Sequence, residues 1–147
     1  MTVAASVLAT GAGSRFHGRA HKLLTRVGGR PLVAHAVGAA VASGLETFVV
    51  TGAVALRGRV DPHAILVHNP RWADGQASSL QVGVAAAATA GHDAVVVGLG
   101  HQPLVGPHAW AAMAACQASM AVATYGGRLG NPVRLGADVW PHLPSIG

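Results

Sequence analysis

The sequence predicts an α/β fold: a mostly parallel sheet with helices on both faces. Short continuous apolar runs alternate with longer helix-compatible segments, which is the pattern of strands buried on both faces. Glycine or a turn residue closes each run. The apolar residues are mostly alanine and valine, with few aromatics, so helix and sheet are expected to pack closely.

Thr2–Leu8 reads as a buried strand feeding Gly11-Ala12-Gly13. Leu32–Ser43 reads as a helix, with Pro31 near its N1 position and Gly44 as its stop. Thr47–Thr51, closed by Gly52, and Ala64–Val67 are the next two strands, and Asn69-Pro70 marks a loop. Ser78 or Ser79 is placed to cap a helix running to about Ala88. Ala94–Gly98 is the strongest strand signal and ends in Gly98-Leu99-Gly100-His101-Gln102-Pro103. Pro107 starts a helix to about Ala118, Met120–Thr124 is a fifth strand, and Pro132–Leu135 a short sixth. Trp140-Pro141 opens a last helix.

The 147 residues suit one domain, 1–147. A composition 51% hydrophobic and 10% charged excludes disorder. The net charge of +5 carries no run of like charges, so no nucleic-acid partner is expected; basic residues between Arg15 and Arg30 and at Arg57 and Arg59 suit phosphates on a small ligand. No apolar run approaches a membrane span, and the N-terminus lacks the charged start of a signal peptide. The single Cys116, in an alanine-rich stretch, reads as a buried small apolar side chain. These features point to a cytoplasmic protein with no membrane partner.

Ligands of parallel sheets bind at the carboxyl ends of the strands, so the loops after the first, third and fourth strands are the places to search. In Leu8-Ala9-Thr10-Gly11-Ala12-Gly13-Ser14-Arg15, glycines let the backbone approach a ligand and aim successive N–H groups at an anion. Arg15 and Lys22 add positive charge. Neither better-known glycine loop fits: the dinucleotide fingerprint needs glycine where Phe16 stands, and the P-loop needs Lys-Ser/Thr where Arg19-Ala20 follows Gly18. The second candidate, Asn69 to Leu80, runs from a strand end into a helix N-terminus, which favours anions. The third is Gly98–Pro103, with His101 after the strongest strand.

The nine histidines, including His17 and His21 at i, i+4 spacing, suggest zinc, but no HExxH and no cysteine ligand set accompanies them, so loop histidines are the expectation. No Gly-x-Ser-x-Gly elbow supports a serine hydrolase. Trp72, Trp110 and Trp140 are too far apart for a stacking platform and are expected in packing roles.

Taken together, these segments resemble the nucleotidyltransferases that activate molybdopterin, most closely the molybdenum cofactor cytidylyltransferase type. The resemblance rests on Leu8-Ala9-x-Gly11-x-Gly13-x-Arg15 with Lys22-Leu23-Leu24, then Gly29-Arg30-Pro31-Leu32-Val33, Asn69-Pro70 through Gly75 with Ser79-Leu80, Gly98-Leu99-Gly100-x-Gln102-Pro103-Leu104-Val105, and Gly126-Gly127-Arg128 with Pro132-Val133-Arg134-Leu135. It covers essentially the whole chain, in the family's order.

The resemblance implies a three-layer Rossmann-like nucleotidyltransferase sheet. It implies transfer of a nucleoside monophosphate from CTP or GTP to molybdopterin, with a molybdoenzyme or its chaperone as possible protein partner. Arg15 and Lys22 would be catalytic. Leu8, Ala9, Gly11, Ala12, Gly13, Ser14, Arg15, Lys22, Asn69, Gly75, Ser79 and Gly100 would hold the nucleotide, with magnesium, or manganese, on the phosphates. His101 stands where the family carries a metal-binding aspartate, an exchange that suits magnesium poorly. Further departures are Thr10 for alanine, a longer Phe16–Lys22 spacing, Asn131 for histidine, and an end at Gly147 that is short for the family. Two alternatives follow: a degenerate nucleotide-binding module without catalysis, and a sugar-phosphate nucleotidyltransferase.

Overall fold

The computed structural model describes residues 2–10, 23–102, 105–125 and 128–143, and the side chains of these apart from 124, 125 and 128–130. Eight strands occur among them: β1 (Val3–Ala9), β2 (Arg26–Val27), β3 (Arg30–Pro31), β4 (Glu46–Thr51), β5 (Ile65–His68), β6 (Ala94–Leu99), β7 (Met120–Tyr125) and β8 (Arg128–Gly136). The helices are α1 (Leu32–Ala42), α2 (Gln76–Thr89) and α3 (Pro107–Ala115), with single 3-10 turns at Trp72–Asp74 and Trp140–His142.

Six strands form one sheet in the order β5-β4-β1-β6-β8-β7. β5, β4, β1 and β6 are mutually parallel. β8 runs against both neighbours, so β7 points the same way as the first four. The valine- and alanine-rich runs account for the parallel part: β1 and β6 are buried along almost their whole length, as strands covered on both faces must be.

One layer is α1 and α3. Val33, Ala36, Val37 and Trp110 pack there with Ala5, Val7, Val49 and Val96. The other is α2, whose Val84 and Ala87 pack on Ala4, Leu8, Val50, Val95 and Val97. Small residues let these layers approach. A Cβ on Gly98 would lie 2.6 Å from the Trp110 ring, and one on Gly83 3.2 Å from Ser6. Burying a tryptophan against a glycine contributes more apolar area than either small residue could alone.

Several boundaries differ from the sequence expectation. α2 begins at Gln76, with Gly75 as N-cap, so Ser78 and Ser79 lie inside its first turn and do not cap it. Gly75 has φ +118° and ψ 173°, a conformation only glycine adopts without strain, and that ends the preceding turn earlier than a serine cap would. Pro31 is the N-cap of α1 and not N1; Gly44, at φ +88°, stops that helix as expected. α3 ends at Ala115, so Cys116 lies beyond it and is partly exposed, not buried. The short strand expected at Pro132–Leu135 is the nine-residue β8, because antiparallel pairing with both β6 and β7 extends it. The last helix is a single 3-10 turn. The β2–β3 hairpin, too short for a periodic signal, was not expected.

Candidate active site

Register aligns the carboxyl ends of the four parallel strands. Ala9 lies opposite Thr51, Thr51 opposite His68, and Leu8 opposite Leu99. The loops beginning at Asn69, Gly52, Thr10 and Gly100 therefore leave one sheet edge side by side. The chain builds outward from β1 through β4 to β5, then crosses back to β6 on the other side of β1. The gap above β1 and β6 is thus the topological switch point, where doubly wound sheets bind ligands.

Buried backbone contacts hold this edge. The Gly100 N–H donates to the Leu8 carbonyl at 2.9 Å, the Ala53 N–H to the Thr10 carbonyl at 2.8 Å, and the Asn69 N–H to the Thr51 carbonyl at 2.8 Å. A Cβ on Gly100 would stand 3.0 Å from the Ala9 Cβ and 3.3 Å from the Leu8 carbonyl oxygen, so this glycine lets the third loop press on β1. Gly52 does the same for the second loop: a Cβ there would fall 2.6 Å from the Trp72 Cβ and 2.7 Å from the Thr10 carbonyl oxygen.

Side-chain bonds join the loops further. Asn69, 1% exposed, donates its two amide hydrogens to the hydroxyl oxygens of Ser78 at 3.0 Å and Ser79 at 3.1 Å. Its Oδ1 accepts from the Arg71 N–H at 2.9 Å. The Ser78 hydroxyl lies 2.8 Å from the Gly75 carbonyl oxygen and 3.0 Å from that of Arg71, sharing one proton between them. The Ser79 hydroxyl, fully buried, donates to Thr10 Oγ1 at 3.2 Å. Arg71 meets Asp74 at 2.8 Å on the outside of the turn, so Asp74 is the loop carboxylate of an exposed ion pair. No side chain caps the first turn of α2; its N–H groups face the loop that Gly75 turns.

Leu8, Ala9, Asn69, Gly75, Ser79 and Gly100 are thus brought to one edge, with half-buried His101 next to Gly100. Gly11, Ala12, Gly13, Ser14, Arg15 and Lys22 lie outside the described residues, as do His17 and His21. An apolar cleft of about 350 Å³ opens beside the edge, lined by Leu8, Leu80, Val97, Leu99 and Val133, with Gln76 and Asn131 as its polar groups. Leu99 and Asn131 mark its end at the carboxyl edge, since the Val97–Val133 pairing places them across from each other.

The shared edge, the switch point and the ordered motifs all agree with a match to the family model of the MobA-like NTP transferase domain over residues 5–146. The chain belongs to this family. Among solved structures it is similar to a nucleotidyl transferase from Methanothermobacter thermautotroptrophicus, at 26% identity and TM-score 0.74 over 96% of this chain and 74% of that one. It is also similar in fold to Rv0371c from Mycobacterium tuberculosis H37Rv in complex with manganese (19% identity, TM-score 0.76, 97% of this chain and 74% of that one). A third fold relative is CMP:2-keto-3-deoxy-manno-octonic acid synthetase complexed with CTP (17% identity, TM-score 0.61, 77% of this chain and 46% of that one). No curated protein sequence matches the chain. A MobA-like NTP transferase domain is a nucleotidyltransferase, and the three-layer, mostly parallel sheet is the fold the sequence predicted.

The sequence reading missed Gly52 as part of this edge, and it placed Thr10 and Ser78 within candidate segments without giving either a contact there. Gly52 read only as a strand stop and Ser78 as a cap. Thr10 showed as a departure from the resembled motif, a signal that could have marked it as a contact. Arg134, read within a motif, turns away from the site: it is 4% exposed, and its guanidinium donates to the Ala118, Met113 and Ala114 carbonyls at 2.8, 3.2 and 2.9 Å. It closes the C-terminal end of α3.

Proposed function

We propose that this MobA-like domain transfers the nucleoside monophosphate of CTP, or of GTP, to a molybdopterin-type acceptor in the cytoplasm. An acceptor phosphate oxygen attacks the α-phosphorus. The new P–O bond forms as the bond to the β-phosphate oxygen breaks, and pyrophosphate leaves. Gly11, Ala12, Gly13 and Ser14 would supply N–H groups to the triphosphate; Arg15 and Lys22 would neutralise charge as it grows on the leaving group. This is positioning plus electrostatic stabilisation. Leu8, Ala9, Asn69, Gly75, Ser79 and Gly100 would shape the nucleotide pocket; of these, Asn69 and Ser79 would act mainly by fixing the loops, since each is buried and engaged.

The observation that carries the reading is the alignment of the three motif loops on one edge at the switch point. The cleft beside it, with no charged side chain among the described residues of its lining, favours a flat heterocyclic acceptor over a sugar phosphate. A sugar's hydroxyls would find two polar partners there, and buried unpaired hydroxyls cost about 1–3 kcal/mol each.

The described residues do not fit a resident magnesium site. Magnesium takes hard oxygen ligands, yet the position after β6 offers the His101 imidazole, and no group of three or more His, Cys, Asp or Glu side chains gathers among the described residues. No step is therefore assigned to a protein-held metal. Any magnesium or manganese would come with the triphosphate. His101 also favours a second reading, in which nucleotide binds without turnover.

The test is calorimetric titration of CTP and GTP, with and without magnesium or manganese, followed by pyrophosphate release with a molybdopterin acceptor and with a panel of sugar phosphates. Binding of one nucleotide and turnover on the pterin acceptor alone is the expected result. Turnover on a sugar phosphate overturns the acceptor, and absence of binding overturns the nucleotidyltransferase reading. His101→Asp should make nucleotide binding more magnesium-dependent; an unchanged metal dependence would remove this position from any metal role.

A further inference from the structure

We propose that Thr10 is a positioning residue, which fixes the start of the glycine loop against the Asn69–Gly75 loop through a buried hydroxyl relay. The proposal rests on the nucleotidyltransferase reading and adds a residue to it.

The relay runs from Asn69 through Ser79 to Thr10. An amide nitrogen can only donate, so the Asn69 Nδ2 hydrogen goes to Ser79 Oγ. Ser79 then has its own proton to give, and it gives it to Thr10 Oγ1. Asn69 itself cannot turn, because its second amide hydrogen is held by Ser78 and its Oδ1 by the Arg71 N–H. The three residues come from three elements: the end of β1, the end of β5 and the first turn of α2. All are buried, at 5%, 1% and 0% exposure for Thr10, Asn69 and Ser79. In such a setting each bond is worth more than at the surface, and a lost acceptor leaves a donor that water cannot reach.

The place of the relay decides its role. It does not tie core to core; the apolar clusters below it close without it. It joins the last residue of β1's exit, from which the glycine loop starts, to the loop that turns into α2. Ala53, donating to the Thr10 carbonyl, pins the same residue from the β4 side. Thr10 is thus held by its carbonyl from one neighbouring loop and by its hydroxyl from another. An alanine at this position would keep the first hold and lose the second. The relay therefore fixes Thr10, the residue from which the chain enters the glycine loop, against the start of α2.

Thr10→Val keeps the shape and removes the acceptor; Thr10→Ser keeps the acceptor. With CTP and GTP titrated into each, Thr10→Val is expected to weaken binding about tenfold, the size of one buried hydrogen bond. Thr10→Ser should stay within about twofold of the parent, because the hydroxyl remains. Ser79→Ala should cost less in Thr10→Val than in the parent, since the Ser79–Thr10 link is already cut there and only the Asn69–Ser79 bond is left to lose. Parent-like binding by Thr10→Val, or full additivity of the two changes, overturns the relay. If the parent protein binds neither nucleotide, the nucleotidyltransferase reading is what fails, and amide exchange judges the relay by itself. The Ala53 amide should exchange faster in Thr10→Val and not in Thr10→Ser; equal rates in all three proteins overturn the proposal.

Discussion

Arg134→Met should destabilise the protein by about 2–4 kcal/mol while leaving nucleotide affinity unchanged. Arg134 Nε and Nη1 supply three hydrogen bonds, to Ala118, Met113 and Ala114 carbonyls. Two of those carbonyls belong to the last turn of α3, whose final carbonyls have no partner within the helix. Hydrogen bonds from a charged donor contribute about 1.5–3 kcal/mol each, and a cation at a helix C-terminus up to about 2 kcal/mol. Against this stands the cost of burying a guanidinium with no carboxylate partner among the described residues, several kcal/mol, which the methionine does not incur. The difference is the net 2–4 kcal/mol above, or a fall in Tm of roughly 4–16 °C for a chain of this size. Urea unfolding with an unchanged slope is the assay, because a constant slope shows that the same surface is exposed in both proteins. Arg134→Lys should recover only part of the loss, since one ammonium cannot span carbonyls on two segments. A methionine variant within about 0.5 kcal/mol of the parent would refute the argument, because it would make the three bonds and the dipole no stronger than the desolvation they oppose. A large loss of nucleotide affinity at parent-like stability would move Arg134 from the frame to the site.

Two further outcomes follow from local geometry. Gly75→Ala places a side chain at φ +118°, a strain of order 1–3 kcal/mol; both Tm and nucleotide affinity should fall, and parent-like values for both would show that the turn can reach α2 another way. The Asp61 carboxyl is held below the usual 3.8, first by the His63 backbone N–H and then by the His63 side chain. Its contribution is therefore present above pH 3.8 and lost as pH falls through the lowered folded value. The stability difference between parent and Asp61→Asn should shrink on acidification across that window, as read from urea midpoints; a difference constant from neutral pH down to acid would contradict it.

The sequence by itself determined the layered fold and the edge that gathers the candidate site. Runs such as Val95-Val96-Val97 are apolar on every residue, so they suit only strands covered on both faces, and the glycines that close them mark where loops must start. The motifs carried the candidate site because they fall at the carboxyl ends of β1, β5 and β6, and chain order is enough to place those ends together. What the tertiary structure decided were contacts that depend on partners distant in the chain. The nine-residue length of β8 comes from two neighbours, not from its own Arg128–Gly136 sequence, which glycine and proline make a weak strand signal. Gly52 and Gly100 look alike in sequence to any strand stop, yet their missing Cβ atoms are what let Trp72 and Ala9 come close. Ser78 and Ser79 read as caps because capping is a local preference, and Gly75 displaced them into a buried network with Asn69 and Thr10. Arg134 sat in a motif, and only the packing of α3 over β8 showed where its charge goes. Periodicity reports which face of an element is buried; it is silent on which atom a buried polar group meets, because that partner lies tens of residues away and is chosen by the fold.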